Sequence, residues 1–217
     1  MFSGSFSAWL QETLYFLPAL LIALSVHEFA HAYVAYKLGD RSQKALGRLT
    51  ISPLAHIDPI GFIFMLVFKF GWGKPVRVDD RNFTHRRKAM MWISLAGPMS
   101  NVILAIVFTI LLKLLEVLGV LNMMADSSIG QILTIMLFYA IQFNMVFAVF
   151  NLIPIPPFDG SKVLYYFLPY KGKQFMDKIE QYSIWILIFL MITDLYVIII
   201  QPAYSLLGMI INWILML

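Results

Sequence analysis

Four stretches of this chain, roughly residues 13–36, 89–115, 130–153 and 182–200, are almost uninterrupted apolar runs. A helix needs about 20 such residues to cross a bilayer core about 30 Å thick. In lipid the backbone must also satisfy its own hydrogen bonds, which a helix does internally. These runs therefore predict an all-α polytopic membrane protein. Composition agrees: 60% of residues are hydrophobic and 13% charged, against about 45–50% and about 25% in soluble domains. Two further segments are ambiguous. Residues 60–70 (IGFIFMLVFKF) are short for a span, and residues 203–217 fit either a short last span or an in-plane helix. The expectation is about 4–6 transmembrane helices.

Basic residues orient the spans. Lys37, Arg41, Lys44 and Arg48 follow the first run, Lys69 to Lys88 precede the second, and Lys162 to Lys178 lie between the third and fourth. Together they make 15 of the 16 Lys and Arg, with Lys113 apart. The positive-inside rule puts all three stretches in the cytoplasm, with the N-terminus outside and a plasma membrane as the simplest setting. Segment 49–68 then starts and ends inside, so it dips and returns. Pro53, Pro59 and Gly61 suit such a re-entrant or interfacial loop. The alternation in KPVRVDD reads as a short strand near 74–80, with a polar loop as the other reading.

The N-terminus lacks the basic region of a cleavable signal. There is no cysteine, so disulfides and thiolate metal sites are excluded. The net charge of +4 does not suggest a nucleic-acid partner.

The first run contains His27-Glu28-Phe29-Ala30-His31, an HExxH motif. Residues four apart lie about 40° apart around a helix, so both imidazoles face one way and can grip one Zn²⁺. Glu28 stands about 100° from His27 and can move protons to and from water and a leaving amine. Ionisable groups at this depth are costly unless paired or used. The bland reading is a polar cluster satisfied by neighbouring helices.

A catalytic zinc keeps three protein ligands and one open position. The third run ends in FNLIPIPPFDG, where Pro154, Pro156 and Pro157 must unwind the helix. Asp159 is the one carboxylate between Asp126 and Asp177. It is either a metal ligand or the cap of a helix starting at Ser161.

With these motifs the chain resembles the site-2 protease family of intramembrane zinc metalloproteases, in a short form without a PDZ or other soluble regulatory domain. HExxH, Gly97-Pro98-x-x-Asn101 and Asn151-x-x-Pro154-x₄-Asp159-Gly160 occur in the family's order across roughly residues 20–165. The resemblance implies His27, His31 and Asp159 as ligands of one Zn²⁺ per chain and Glu28 as catalytic acid/base. It also implies a three-helix catalytic core within a single membrane domain over 1–217, the core covering about 13–165 and further helices about 182–217. HIDPIG with GWGKPV resembles a membrane-associated loop of cytoplasmic-facing members, which would make the 74–80 segment a substrate-guiding edge.

Asn151 and Asn101 are amides in apolar surroundings, suited to substrate backbone or an oxyanion, or else to interhelical bonding. His56 and Asp58 are the other metal candidates, His56 being favoured as structural. His85 is expected to be solvated, and Asp194 to face the bundle. The expected partners are a membrane-protein or peptide substrate, the lipid bilayer and a regulatory membrane partner. Two rivals stay open: a membrane zinc peptidase cutting at the bilayer surface, and a non-catalytic metal-binding protein or transporter. A di-iron enzyme would want more than the four histidines present.

Overall fold

The computed structural model describes residues 6–68, 71–193 and 195–216. Among the described residues, three helices are long and apolar enough to cross a membrane. These are α1 (Phe6–Leu38), α4 (Arg86–Val117) and α6 (Ser128–Asn151), which extend three of the expected runs by a few residues at most points. Between the first two lie α2 (Ser42–Ala45) and α3 (Pro59–Phe68), and α5 (Val120–Met124) joins α4 to α6. The chain continues through α7 (Asp159–Phe167), α8 (Tyr170–Glu180), α9 (Ser183–Thr193) and α10 (Leu195–Met216).

α1, α4 and α6 pack on one another, α7 lies against α4, and α10 lies against α4 and α6. The contacts between helices use small side chains: Ala23, Ala32, Ala35, Ala105 and Ala148 are fully buried. Without a hydrophobic driving force in lipid, such residues let backbones approach and gain van der Waals contact. Ile103, Ile110, Leu114, Leu133 and Phe138 instead lie exposed on the outer faces, which lipid would cover. One buried cluster joins Ala105 and Leu112 of α4 to Ile141 and Met145 of α6 and Leu207 and Ile211 of α10.

α1 stops at Gly39, whose φ of +119° only glycine adopts readily. Gly39 N–H bonds the Tyr36 carbonyl and Asp40 N–H the Ala35 carbonyl, the double closure of a Schellman end. This end directs Asp40 into the connector.

The segment expected to dip leads into a closed hairpin. Asp58 caps α3, its side chain accepting from Gly61 N–H at 2.8 Å. The chain returns to its start through an antiparallel bridge between Ile57 and Gly73 and a 2.7 Å bond from Lys74 N–H to the His56 carbonyl. A Cβ on Gly61 would lie 2.1 Å from the Trp72 carbonyl oxygen, so the hairpin closes only over glycine. Met65 of α3 packs with Phe16, Leu20 and Leu24 of α1.

The run 182–200 is helical on both sides of position 194, as α9 up to Thr193 and α10 from Leu195. α9 covers the Pro-rich segment, Leu190 packing with Ile153 and Phe158. Asp194, expected to face the bundle, lies outside the described residues. One expectation differs from the fold: residues 74–80 form no strand. Their alternation is real, with Val78 packing beside Ala35, Phe83 and Ile93, but their backbone partners are mostly side chains rather than a neighbouring strand.

Candidate metal centre

α1 carries the HExxH motif where it meets α4 and α7. The helical offset of four brings His27 and His31 together, their Nε2 atoms 3.0 Å apart. Asp159 is the first residue of α7 and reaches both: its Oδ2 lies 3.2 Å from His27 Nε2 and 3.1 Å from His31 Nε2. Residues 152–158 are irregular, as the prolines require, and this break turns the chain so that Asp159 points back into the bundle. All three side chains are largely shielded, at 5%, 10% and 13% exposed.

Each imidazole is fixed from behind. His27 Nδ1 is 2.7 Å from Asn101 Oδ1, and His31 Nδ1 is 2.7 Å from the Ile93 carbonyl. Both partners accept, so both Nδ1 atoms carry the proton. Neutral rings in that tautomer turn unprotonated Nε2 lone pairs toward the carboxylate oxygen. Three lone-pair donors facing one point call for a cation between them. Their spacing fits zinc: ligands about 2.0–2.1 Å from a tetrahedral ion are about 3.3 Å apart, close to the triangle observed. His27, His31 and Asp159 are the one such group of three among the described residues.

Gly97, in the middle of α4, completes the cradle. A Cβ there would lie 2.5 Å from His31 Cε1 and Nε2 and 2.6 Å from His27 Cε1. α4 can therefore lie against both rings only at glycine.

The amides differ in their surroundings. Asn101 is fully buried, with its Oδ1 on His27 and its Nδ2 donating to the Ala23 carbonyl at 3.0 Å and to Asn144 Oδ1 at 2.9 Å. Asn144 donates in turn to the Ala140 carbonyl. Both ends of the Asn101 amide are thus engaged within the bundle, behind His27. Such outer partners orient metal-binding histidines and raise their basicity. Asn144 was not singled out from sequence. An amide in an apolar span was the available signal, shared by Asn101. Asn151 sits at the end of α6, partly buried, and donates to the Phe147 carbonyl of its own helix.

Glu28 is half-buried, and its Oε2 accepts from Val76 N–H at 2.9 Å. His56 and Asp58 take no part in the group of three: His56 is fully buried with Nε2 against the Thr50 carbonyl at 2.8 Å, and Asp58 caps α3. His85 is exposed at the start of α4.

The profile of peptidase family M50 matches residues 15–193. A Bacillus subtilis (strain 168) protein with the provisional designation zinc metalloprotease YwhC is 40% identical over 183 residues, covering 83% of this chain and 81% of its own. Rip2 of Mycolicibacterium smegmatis, also provisionally designated a zinc metalloprotease, is 28% identical over 179 residues, 80% of this chain and 64% of its own. A provisional zinc metalloprotease of Methanocaldococcus jannaschii is 34% identical over 140 residues, 64% of this chain and 62% of its own. No solved structure matches the chain.

Proposed function

This chain belongs to peptidase family M50, the site-2 protease family of zinc metalloproteases, and on that footing we propose that it hydrolyses peptide bonds in or beside the membrane-spanning segments of other proteins. The observation that carries the reading is the triangle of His27, His31 and Asp159 where the spanning helix α1 meets α4 and α7.

His27 Nε2, His31 Nε2 and Asp159 Oδ2 would hold one Zn²⁺. When bound there, zinc supplies Lewis acidity to a carbonyl and makes water acidic enough to be deprotonated near neutral pH. The protein residues supply the rest. Asn101 and the Ile93 carbonyl hold the imidazoles in the tautomer that leaves Nε2 free. Glu28, next to His27, takes the proton of the attacking water and returns it to the leaving nitrogen. Asn151, at the end of α6, is proposed to bond the main chain of a bound peptide.

A substrate helix hides its carbonyls in hydrogen bonds, so it must unwind to be cut. The distribution of basic residues supports a site toward the cytoplasm, with the N-terminus outside and the plasma membrane as the host. Residues 74–79 lie across Glu28, which supports a role near the substrate for this segment despite the absence of a strand.

The test is cleavage of a synthetic peptide carrying a 20-residue apolar segment between lysines, about the length of one span, by purified zinc-loaded protein in lipid. Cut positions are mapped by mass spectrometry. Wild type should cut within or at the border of the apolar segment. Glu28→Gln should keep its zinc and lose about 10²–10⁴-fold in rate. Full turnover by Glu28→Gln would refute the assignment, and cuts confined to the polar flanks would favour a surface peptidase. Metal flux in vesicles without proteolysis would favour a transporter.

A further inference from the structure

The connector between α1 and α3 buries an unusual set of polar residues. Asp40 and His56 are 0% exposed, Gln43 is 2% and Arg48 is 9%. All four are bonded to one short segment. Lys74 N–H meets the His56 carbonyl at 2.7 Å, and Arg48 Nη1 donates to the Lys74 carbonyl at 2.9 Å. Gln43 Nε2 donates to the Arg77 carbonyl. Asp40 Oδ2 accepts from Asp79 N–H at 2.9 Å, and its Oδ1 accepts from Ser42 N–H and from the amide of Asn82. Midway through the segment held in this way, Val76 N–H donates to Glu28 Oε2 at 2.9 Å.

An exposed loop ordinarily turns its backbone groups to water. Here the backbone of 74–79 is held by buried side chains at its beginning, middle and end. What the arrangement fixes is a single donor over the carboxylate next to His27. A glutamate has several freely turning bonds, and catalysis suffers when a reacting group is out of place by about 1 Å.

We propose that Asp40, Gln43 and Arg48 are positioning residues that lock residues 74–79 so that the Val76 amide holds the Glu28 carboxylate in its working orientation. The bond engages Oε2, so proton transfer falls to Oε1. The proposal rests on the proteolytic reading of Glu28, while the clamp itself can be examined without catalysis.

The experiment uses the full zinc-loaded chain in lipid and the apolar peptide described above. Hydrogen exchange of the 74–79 amides is followed together with kcat, KM and bound zinc. Glu28→Ala should speed exchange at Val76 at least about 10-fold, since the amide loses its acceptor. Arg48→Met should speed exchange across 74–79 and lower kcat about 10-fold with KM and zinc content unchanged, and Arg48→Lys should recover part of that kcat. Val76→Pro removes the donor and should lower kcat alike. If Val76→Pro does not fold, the Arg48 pair carries the same test.

Unchanged Val76 exchange in Glu28→Ala overturns the contact, whatever the catalytic result. Arg48→Met that frees the segment at wild-type kcat overturns the positioning role, as does Val76→Pro at wild-type kcat. A fall in activity that tracks lost zinc also overturns it. An active Glu28→Gln instead sinks the proteolytic reading, which separates the two failures.

Discussion

Gly97→Ala tests the metal centre through a residue that carries no chemistry of its own. A Cβ at 97 would lie 2.5 Å from His31 Cε1 and 2.6 Å from His27 Cε1. Carbon atoms rest about 3.5–4.0 Å apart, so an overlap of about 1 Å must be relieved. The rings cannot simply rotate, because each Nδ1 is bonded at 2.7 Å. Either the imidazoles swing off those bonds or α4 separates from α1. Metal–ligand distances tolerate only about 0.2 Å, and losing the support behind a ligand already costs about 10–100-fold in metal affinity. With two of three ligands displaced, the expected loss is at least about 100-fold, or about 2.8 kcal/mol. Overpacking should add about 1–3 kcal/mol of destabilisation. Zinc per chain after purification, chelator competition and the rise in Tm on adding zinc measure the effect. Gly208→Ala is the control, since its nearest neighbour would be Met145 Cε at 3.8 Å. A Gly97→Ala protein that binds zinc like wild type would refute the reasoning.

Further outcomes are expected. Asn101→Ala should weaken zinc about 10–100-fold by releasing His27 and lower Tm by leaving the Ala23 carbonyl and Asn144 with buried unmet bonds; Asn144→Ala should have a smaller effect on zinc. A chelator such as 1,10-phenanthroline should abolish cleavage and added Zn²⁺ should restore it, as assayed with the apolar peptide. Burial pushes the Asp40 carboxyl up, but the Ser42 and Asp79 N–H groups and the Asn82 amide outweigh it and hold it below the usual range. A lowered folded pKa means that its stabilisation is complete above the unfolded value of about 3.9 and is lost as pH falls below it. Tm should therefore fall on acidification through about pH 4, and Asp40→Asn, less stable at pH 7, should show a shallower fall.

The parts of the fold readable in advance were those governed by a single physical constraint. Apolar runs of spanning length marked α1, α4 and α6, and Pro53, Pro59 and Gly61 marked the irregular segment that leads into the hairpin. The spacing of His27 and His31 and the prolines before Asp159 supplied the motif chemistry, and the structure brings those three side chains together. What was not readable depended on which groups meet across distant segments. Asn101 reads from sequence as a substrate donor or a helix tie, and its contact with His27 emerges only in three dimensions. The alternating KPVRVDD segment resembles a strand because its side chains do alternate, yet its backbone bonds go to Asp40, Gln43, Arg48 and Glu28.

The donor from α7 sits 132 positions after His27. During synthesis, a nascent chain that has already inserted α1 and α4 carries two imidazoles and a carboxylate base but no third donor for the ion. On the proposed reading of the site, hydrolytic power arises only after most of the polypeptide has left the ribosome and α7 has docked. Truncated or stalled products would then be inert, so the order of the parts along the chain would itself protect the host membrane from a half-built protease.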